Sequence, residues 1–142
     1  PTTPFSGEKL SPILPVWRAA NFQAAKELVS KVYSYQGAGH SVGLHTASSG
    51  SVMEERAADL ARDLPVARVI VNQAHAIATG GSFENGLPFS LSMGCGTWGK
   101  NNFSDNMNYR HYLNTTRVVR PITEKVPEVE TLLANYFSQH PK

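Results

Sequence analysis

Apolar positions recur along this chain with two different periods, and the alternation between them predicts its architecture. Phe22, Ala25, Leu28, Val29 and Val32 fall at helical spacing and give one apolar face. Asn21 precedes them as an N-cap, its side-chain oxygen able to accept from an unpaired amide of the first turn. Gly37-Ala38-Gly39 predicts a stop near Gln36. A second helix is read from Met53, Ala57, Leu60 and Leu64, opened by a capping box at Ser51 and Glu54 and closed by Pro65. Between and around these helices lie short apolar runs of strand type. Pro12 to Trp17 reads as a buried strand with Pro at its margins, and Ser41 to Thr46 as a strand weakened by Gly43. Val66 to Asn72, with β-branched residues in succession, is the most strand-like stretch. The order β-α-β-α-β with short connections predicts an α/β fold, a three-layer unit built on a parallel sheet.

From Gln73 to about Arg110 the periodicity fails. Gly80-Gly81, Gly86, Gly94, Gly96 and Gly99 fall here, with Asn101-Asn102 and Asn106. So long an irregular run inside a compact domain predicts a functional loop. Pattern returns at Tyr112 to Arg120, read as a strand. Pro127 is the expected first residue of a last helix carrying Val129, Leu132, Leu133 and Phe137.

Composition narrows the class without naming a function. The chain has 142 residues, 41% hydrophobic and 17% charged, with 13 basic and 11 acidic side chains and a net charge of +2. Those charges are scattered, so there is no basic footprint for nucleic acid or an anionic membrane. No apolar run approaches the ~20 residues of a membrane span. A single cysteine fits a reducing, cytoplasmic setting. The absence of an initiator Met at Pro1 favours an origin in a longer protein.

Candidate chemistry is sparse when read residue by residue. The five histidines match no zinc spacing and read as scattered core or surface residues, so no metal is expected. The run Met93 to Gly99 (MGCGTWG) is either a tight turn anchored by Trp98 or a backbone that approaches a ligand closely. Cys95 within it has no neighbouring base to hold a thiolate, and a structural role is the simpler reading.

Several blocks, in order, resemble the C-terminal part of CoA-acylating aldehyde dehydrogenases. Phe5 to Leu14 (FSGEKLSPIL) is similar to the family's F-x-x-E-K-L-x-P-x-L segment. Gly39-His40-Ser41 resembles its G-H-T/S, and Arg68 to Asn72 (RVIVN) its strand ending in V-N. Leu87 to Asn102, which contains Met93-Gly94-Cys95-Gly96-Thr97-Trp98-Gly99, resembles its G-C-G-x-W-G block. Asp105-Asn106 and His111-Tyr112-Leu113-Asn114 resemble its ending. The chain departs from the pattern at Lys100 and across Gln73 to Glu84; the resemblance implies that the second of these lies toward the acyl or CoA side, where aldehyde choice is partly set.

The resemblance implies part of an α/β catalytic domain over residues 1–112. It implies an oligomerisation strand and helical tail over 113–142, with Leu113 to Arg120 reaching another subunit of a homo-oligomer. It implies an oxidoreductase that uses NAD or NADP, with a small aldehyde and coenzyme A as substrates. A cysteine thiolate attacks the aldehyde, a hydride passes to the dinucleotide, and the thioester is transferred to CoA. Glu8 matches the carboxylate that holds the nicotinamide ribose, as two hydrogen bonds from a diol require. Leu10 matches the apolar residue beside the nicotinamide. The nucleophile is expected upstream of this chain, which therefore contains no catalytic residue of its own and is expected to be inactive alone. A non-catalytic binding or assembly module with the same fold is the alternative. An ordinary hydrolytic aldehyde dehydrogenase is disfavoured by the G-C-G-x-W-G block.

Overall fold

The computed structural model describes residues 4–140; Pro1 to Thr3, where the reading of the N-terminus begins, lie outside them. Two short parallel strands stand at the centre, β1 (Val42–Leu44) and β2 (Val69–Val71). They pair Val42 with Val69, Gly43 with Ile70 and Leu44 with Val71, and a bridge from Gly39 to Val66 continues the pairing. Past Leu44, Asn72 takes over. Its side chain accepts from Thr46 N at 2.8 Å and donates to Thr46 O at 3.0 Å, imitating one more ladder step. Asn72 does so at φ +50°, a left-handed value that Asn tolerates better than most residues.

Helix α1 (Phe22–Gln36) precedes β1, and α2 (Ser51–Asp63) joins β1 to β2. Alternation along the strands sends Val42, Leu44, Val69 and Val71 to one face. There they pack with Leu60, Leu64 and Val66, and with the partly buried Phe22, Val29, Tyr33 and Ala57 of the two helices. The opposite face carries Gly43 and Ile70. The short helix α3 (His75–Ala78) lies over it, with the His75 ring against Gly43. The chain is thus α/β with parallel strands, as the alternation predicts.

The two helices are also tied by charge. Lys26, 8% exposed, donates to Asp59 Oδ2 at 2.6 Å and Asp63 Oδ2 at 2.5 Å. Its hydrogen bonds to Asp59 and Asp63 raise the Lys26 pKa, and the bond from Lys26 holds Asp63 below the ordinary 3.8. A carboxylate depressed in the folded state stabilises the fold above its unfolded pKa, and that stability is lost as pH falls through the folded value. The thermal midpoint of the wild-type protein should therefore fall below about pH 4, and that of Lys26→Met should fall less. Parallel midpoint-against-pH curves for the two proteins would remove the ion pair as the cause.

Individual elements depart from their expected form. Asn21 does cap α1, accepting from Ala24 N at 2.9 Å. The capping box at Ser51 does not form, because Ser51 is already helical and Gly50 holds the cap position at φ +60° without a side-chain bond. Pro12 to Trp17 is not a strand: no ladder partner reaches it among the described residues, and Leu14 and Val16 stay about four-fifths exposed. Tyr112 to Arg120 also forms no strand. No backbone–backbone hydrogen bond among the described residues involves 113–127. The last helix starts after Glu128 rather than at Pro127 and is broken into α4 (Val129–Leu132) and α5 (Ala134–Gln139).

Candidate functional site

The Gly-rich run is irregular in backbone but held by a buried polar cluster. Arg68, 6% exposed, projects from the start of β2 and donates through Nε to Asn106 Oδ1 at 2.9 Å. Its Nη1 donates to Gly94 O at 2.9 Å and His40 O at 3.4 Å, and Nη2 to Ser104 O at 3.2 Å. Asn106, 1% exposed, donates from Nδ2 to Thr79 O and Pro88 O, both at 2.9 Å. One guanidinium and one amide thereby join β2, the segment before β1 and four points of the irregular run. Burial lowers the Arg68 pKa, opposed by the nearby Cys95 and Asp105. A guanidinium stays charged in such a site, so its donors must be answered, and carbonyl oxygens answer them.

This clamp presses the MGCGTWG turn against Gly39. A Cβ on Gly39 would stand 2.7 Å from Gly99 N and 2.9 Å from Cys95 O, and its φ is +116°. Only glycine fits there. Cys95 is consequently a packing residue of the turn. Its N–H donates to Asn101 Oδ1 at 2.8 Å, and no imidazole or carboxylate bonds its thiol among the described residues. Trp98 is about half exposed, so it does not anchor the turn in a core.

The contact with Gly39 sets the position of His40. Its side chain is exposed, Nδ1 lies 2.7 Å from Ser41 Oγ, and Nε2 has no partner among the described residues. Burial and the Arg68 charge lower its pKa, and Glu8 opposes them. Glu8 is therefore close enough to His40 to act on it electrostatically. His75 completes a chain, its Nε2 also 2.7 Å from Ser41 Oγ. Burial, then the charges of His40 and His45, lower the His75 pKa.

Glu8 and Leu10 occupy a turn fastened to the end of α1, where the Glu8 N–H donates to Gln36 Oε1 at 2.6 Å and Lys9 Nζ closes the loop on Gly7 O at 2.7 Å. Both side chains line a cleft of about 530 Å³ with Ile13, Trp17 and Tyr33. The Glu8 carboxylate has no hydrogen bond or ion pair among the described residues, and Leu10 is 91% exposed at φ +47°. An open carboxylate beside an apolar wall fits a ribose diol carrying a flat heterocycle.

Glu8 and Leu10 are thus brought together, and Cys95 is set apart from both as packing. The sequence reading missed the grouping of His40, Ser41 and His75. Its only local signal was histidine beside serine; His75 lies beyond the whole of α2 and β2, and no spacing rule links it to His40.

No protein-family model matches the chain. It is 60% identical over 136 residues to a sulfoacetaldehyde dehydrogenase (acylating) from Cupriavidus necator, covering 96% of this chain and 27% of that protein. It is 36% identical over 126 residues to a succinate-semialdehyde dehydrogenase (acetylating) from Clostridium kluyveri, covering 88% of this chain and 26% of the relative. A crystal structure of a probable aldehyde dehydrogenase from Listeria monocytogenes superposes with a TM-score of 0.69 at 32% identity, over 91% of this chain and 26% of that one. The chain spans about a quarter of the length of these relatives.

Proposed function

Since the chain belongs to the CoA-acylating aldehyde dehydrogenase family, we propose that it is the C-terminal part of an enzyme that oxidises sulfoacetaldehyde to its CoA thioester with NAD or NADP. The observation that carries this reading is the Glu8 carboxylate, unpaired among the described residues, in a cleft it shares with Leu10. The substrate follows that of the Cupriavidus necator relative at 60% identity. A bound NAD(P)+ would supply the hydride acceptor. Glu8 would accept hydrogen bonds from its ribose hydroxyls, and Leu10 would offer the apolar surface beside the ring. His40, with Nε2 open, takes the proton from the CoA thiol as the acyl group leaves the enzyme cysteine, which lies in the part of the protein upstream of this chain.

The division of the chain at residue 112 belongs to the same proposal. Beyond His111 every described residue except Phe137 is exposed, and Leu113, Val118, Val119 and Ile122 offer apolar side chains to solvent. An unpaired extended segment of that kind pairs readily with another chain. Leu113 to Arg120 is thus assigned to contact a second subunit.

The test is kinetic. The full-length protein should reduce NAD(P)+ in the presence of sulfoacetaldehyde and CoA, and the 142-residue chain should not. Glu8→Gln should raise the KM for the dinucleotide by roughly tenfold, the loss expected for one charge-assisted hydrogen bond, with the KM for aldehyde little changed. An unaltered dinucleotide KM would sink the role of Glu8; no CoA-dependent reduction by the full-length protein would sink the function.

A further inference from the structure

One hydroxyl stands between two imidazoles. His40 Nδ1 and His75 Nε2 each lie 2.7 Å from Ser41 Oγ. A serine hydroxyl has one proton to donate and lone pairs to accept with. Among the described residues its proton has no other acceptor than these two rings, so in the arrangement that uses it the hydroxyl donates to one ring and accepts an N–H from the other. The chain has a polarity, and reversing it moves a proton from one histidine to the other through Oγ.

The surroundings hold this arrangement in place. The Tyr33 hydroxyl donates to Ser41 O at 2.7 Å, fixing the backbone that carries the bridge. Gly43 leaves room for the His75 ring, since a Cβ there would stand 2.8 Å from Nδ1. The charged or titratable groups that act on the pair are Arg68 and Glu8 on His40, and His45 on His75. Burial is the first cause that lowers the pKa of each ring, which favours the neutral form of both.

We propose that His75 is a positioning residue for acyl transfer, receiving through Ser41 Oγ the proton that His40 draws from the CoA thiol. This deepens the function proposed above and rests on it. Oxidation of an aldehyde by NAD(P)+ to a CoA thioester releases one proton overall, and it is the thiol proton. The CoA sulfur forms its bond to the acyl carbon as the bond to the enzyme cysteine breaks, and the cysteine leaves as thiolate with the electron pair. The proton passes to His40 Nε2, the Nδ1 proton to Ser41 Oγ, and the hydroxyl proton to His75 Nε2. His75 then releases it to solvent.

The experiment uses the full-length protein. His75→Gln keeps a hydrogen-bonding group near Ser41 and removes the titrating ring. CoA-dependent turnover at pH 7 should fall about 10- to 100-fold, a proton-transfer contribution of ordinary size. The burst of NAD(P)+ reduction without CoA, and the KM for aldehyde, should not change, which also reports an intact fold. Ser41→Ala should lose as much, Ser41→Thr should recover, and the His75→Gln/Ser41→Ala pair should be no worse than either alone. Independently of activity, histidine NMR titration of the protein without dinucleotide or CoA should show biphasic curves for His40 and His75, as coupled sites require. His75→Gln should leave His40 with a single transition. Wild-type turnover and pH profile in His75→Gln, or an unchanged His40 titration, would overturn the relay. A wild-type protein with no burst at all would instead overturn the function reading, and the relay with it.

Discussion

Arg68→Leu should be the most damaging single substitution in the described structure, at about 3–5 kcal/mol. Each buried polar group left without a partner costs roughly 1–3 kcal/mol, and Arg68 satisfies Asn106 Oδ1 together with the carbonyls of Gly94, His40 and Ser104. The loss is smaller than a full sum because a cavity of about 590 Å³ opens beside Arg68 and Asn106 and admits water to some of these groups. Arg68→Lys should lie between, since an ammonium lacks the planar fork that reaches carbonyls on separate segments. The urea midpoint of the three proteins checks this. A midpoint for Arg68→Leu within error of wild type would show that the cluster contributes no net stability.

If the proposed function holds, His40→Gln in the full-length protein should have the largest effect on activity, lowering CoA-dependent turnover about 10²- to 10³-fold, within the usual range for a lost general base. Arg68 bonds the backbone oxygen of His40 and not its ring, so the substitution leaves the clamp intact. In the wild type the rate should stay level across neutral pH and fall on the acid side. The His40 pKa lies below the ordinary 6.5, and protonation there removes the base. His40→Gln should lose that acid limb. Reduction of NAD(P)+ in the burst without CoA should persist. A burst and turnover lost in equal measure would place His40 in the hydride half of the reaction instead.

Local sequence signals specify the regular half of the chain. Asn21 and Gln36 mark α1 because an N-cap side chain and a following glycine act within a few residues. The parallel strand pair follows from β-branched runs separated by an amphipathic helix of crossover length. Glu8 and Leu10 lie two residues apart in the block that carries the resemblance, and the turn places both on one cleft.

The rest depends on long-range contacts. Pro12 to Trp17 and Tyr112 to Arg120 have strand composition, but a strand exists only against a neighbour, and none of the described residues supplies one. Ser51 and Glu54 match a capping box, but which residue takes the cap depends on where the chain turns, and it turns at Gly50. The irregular run shows no period because its order comes from Arg68 and Asn106, whose bonds reach across 18 to 38 residues and join backbone oxygens that every sequence possesses. His40, Ser41 and His75 meet for the same reason. Local propensity acts over a few residues, whereas a buried polar contact is chosen by the three-dimensional position of its partner.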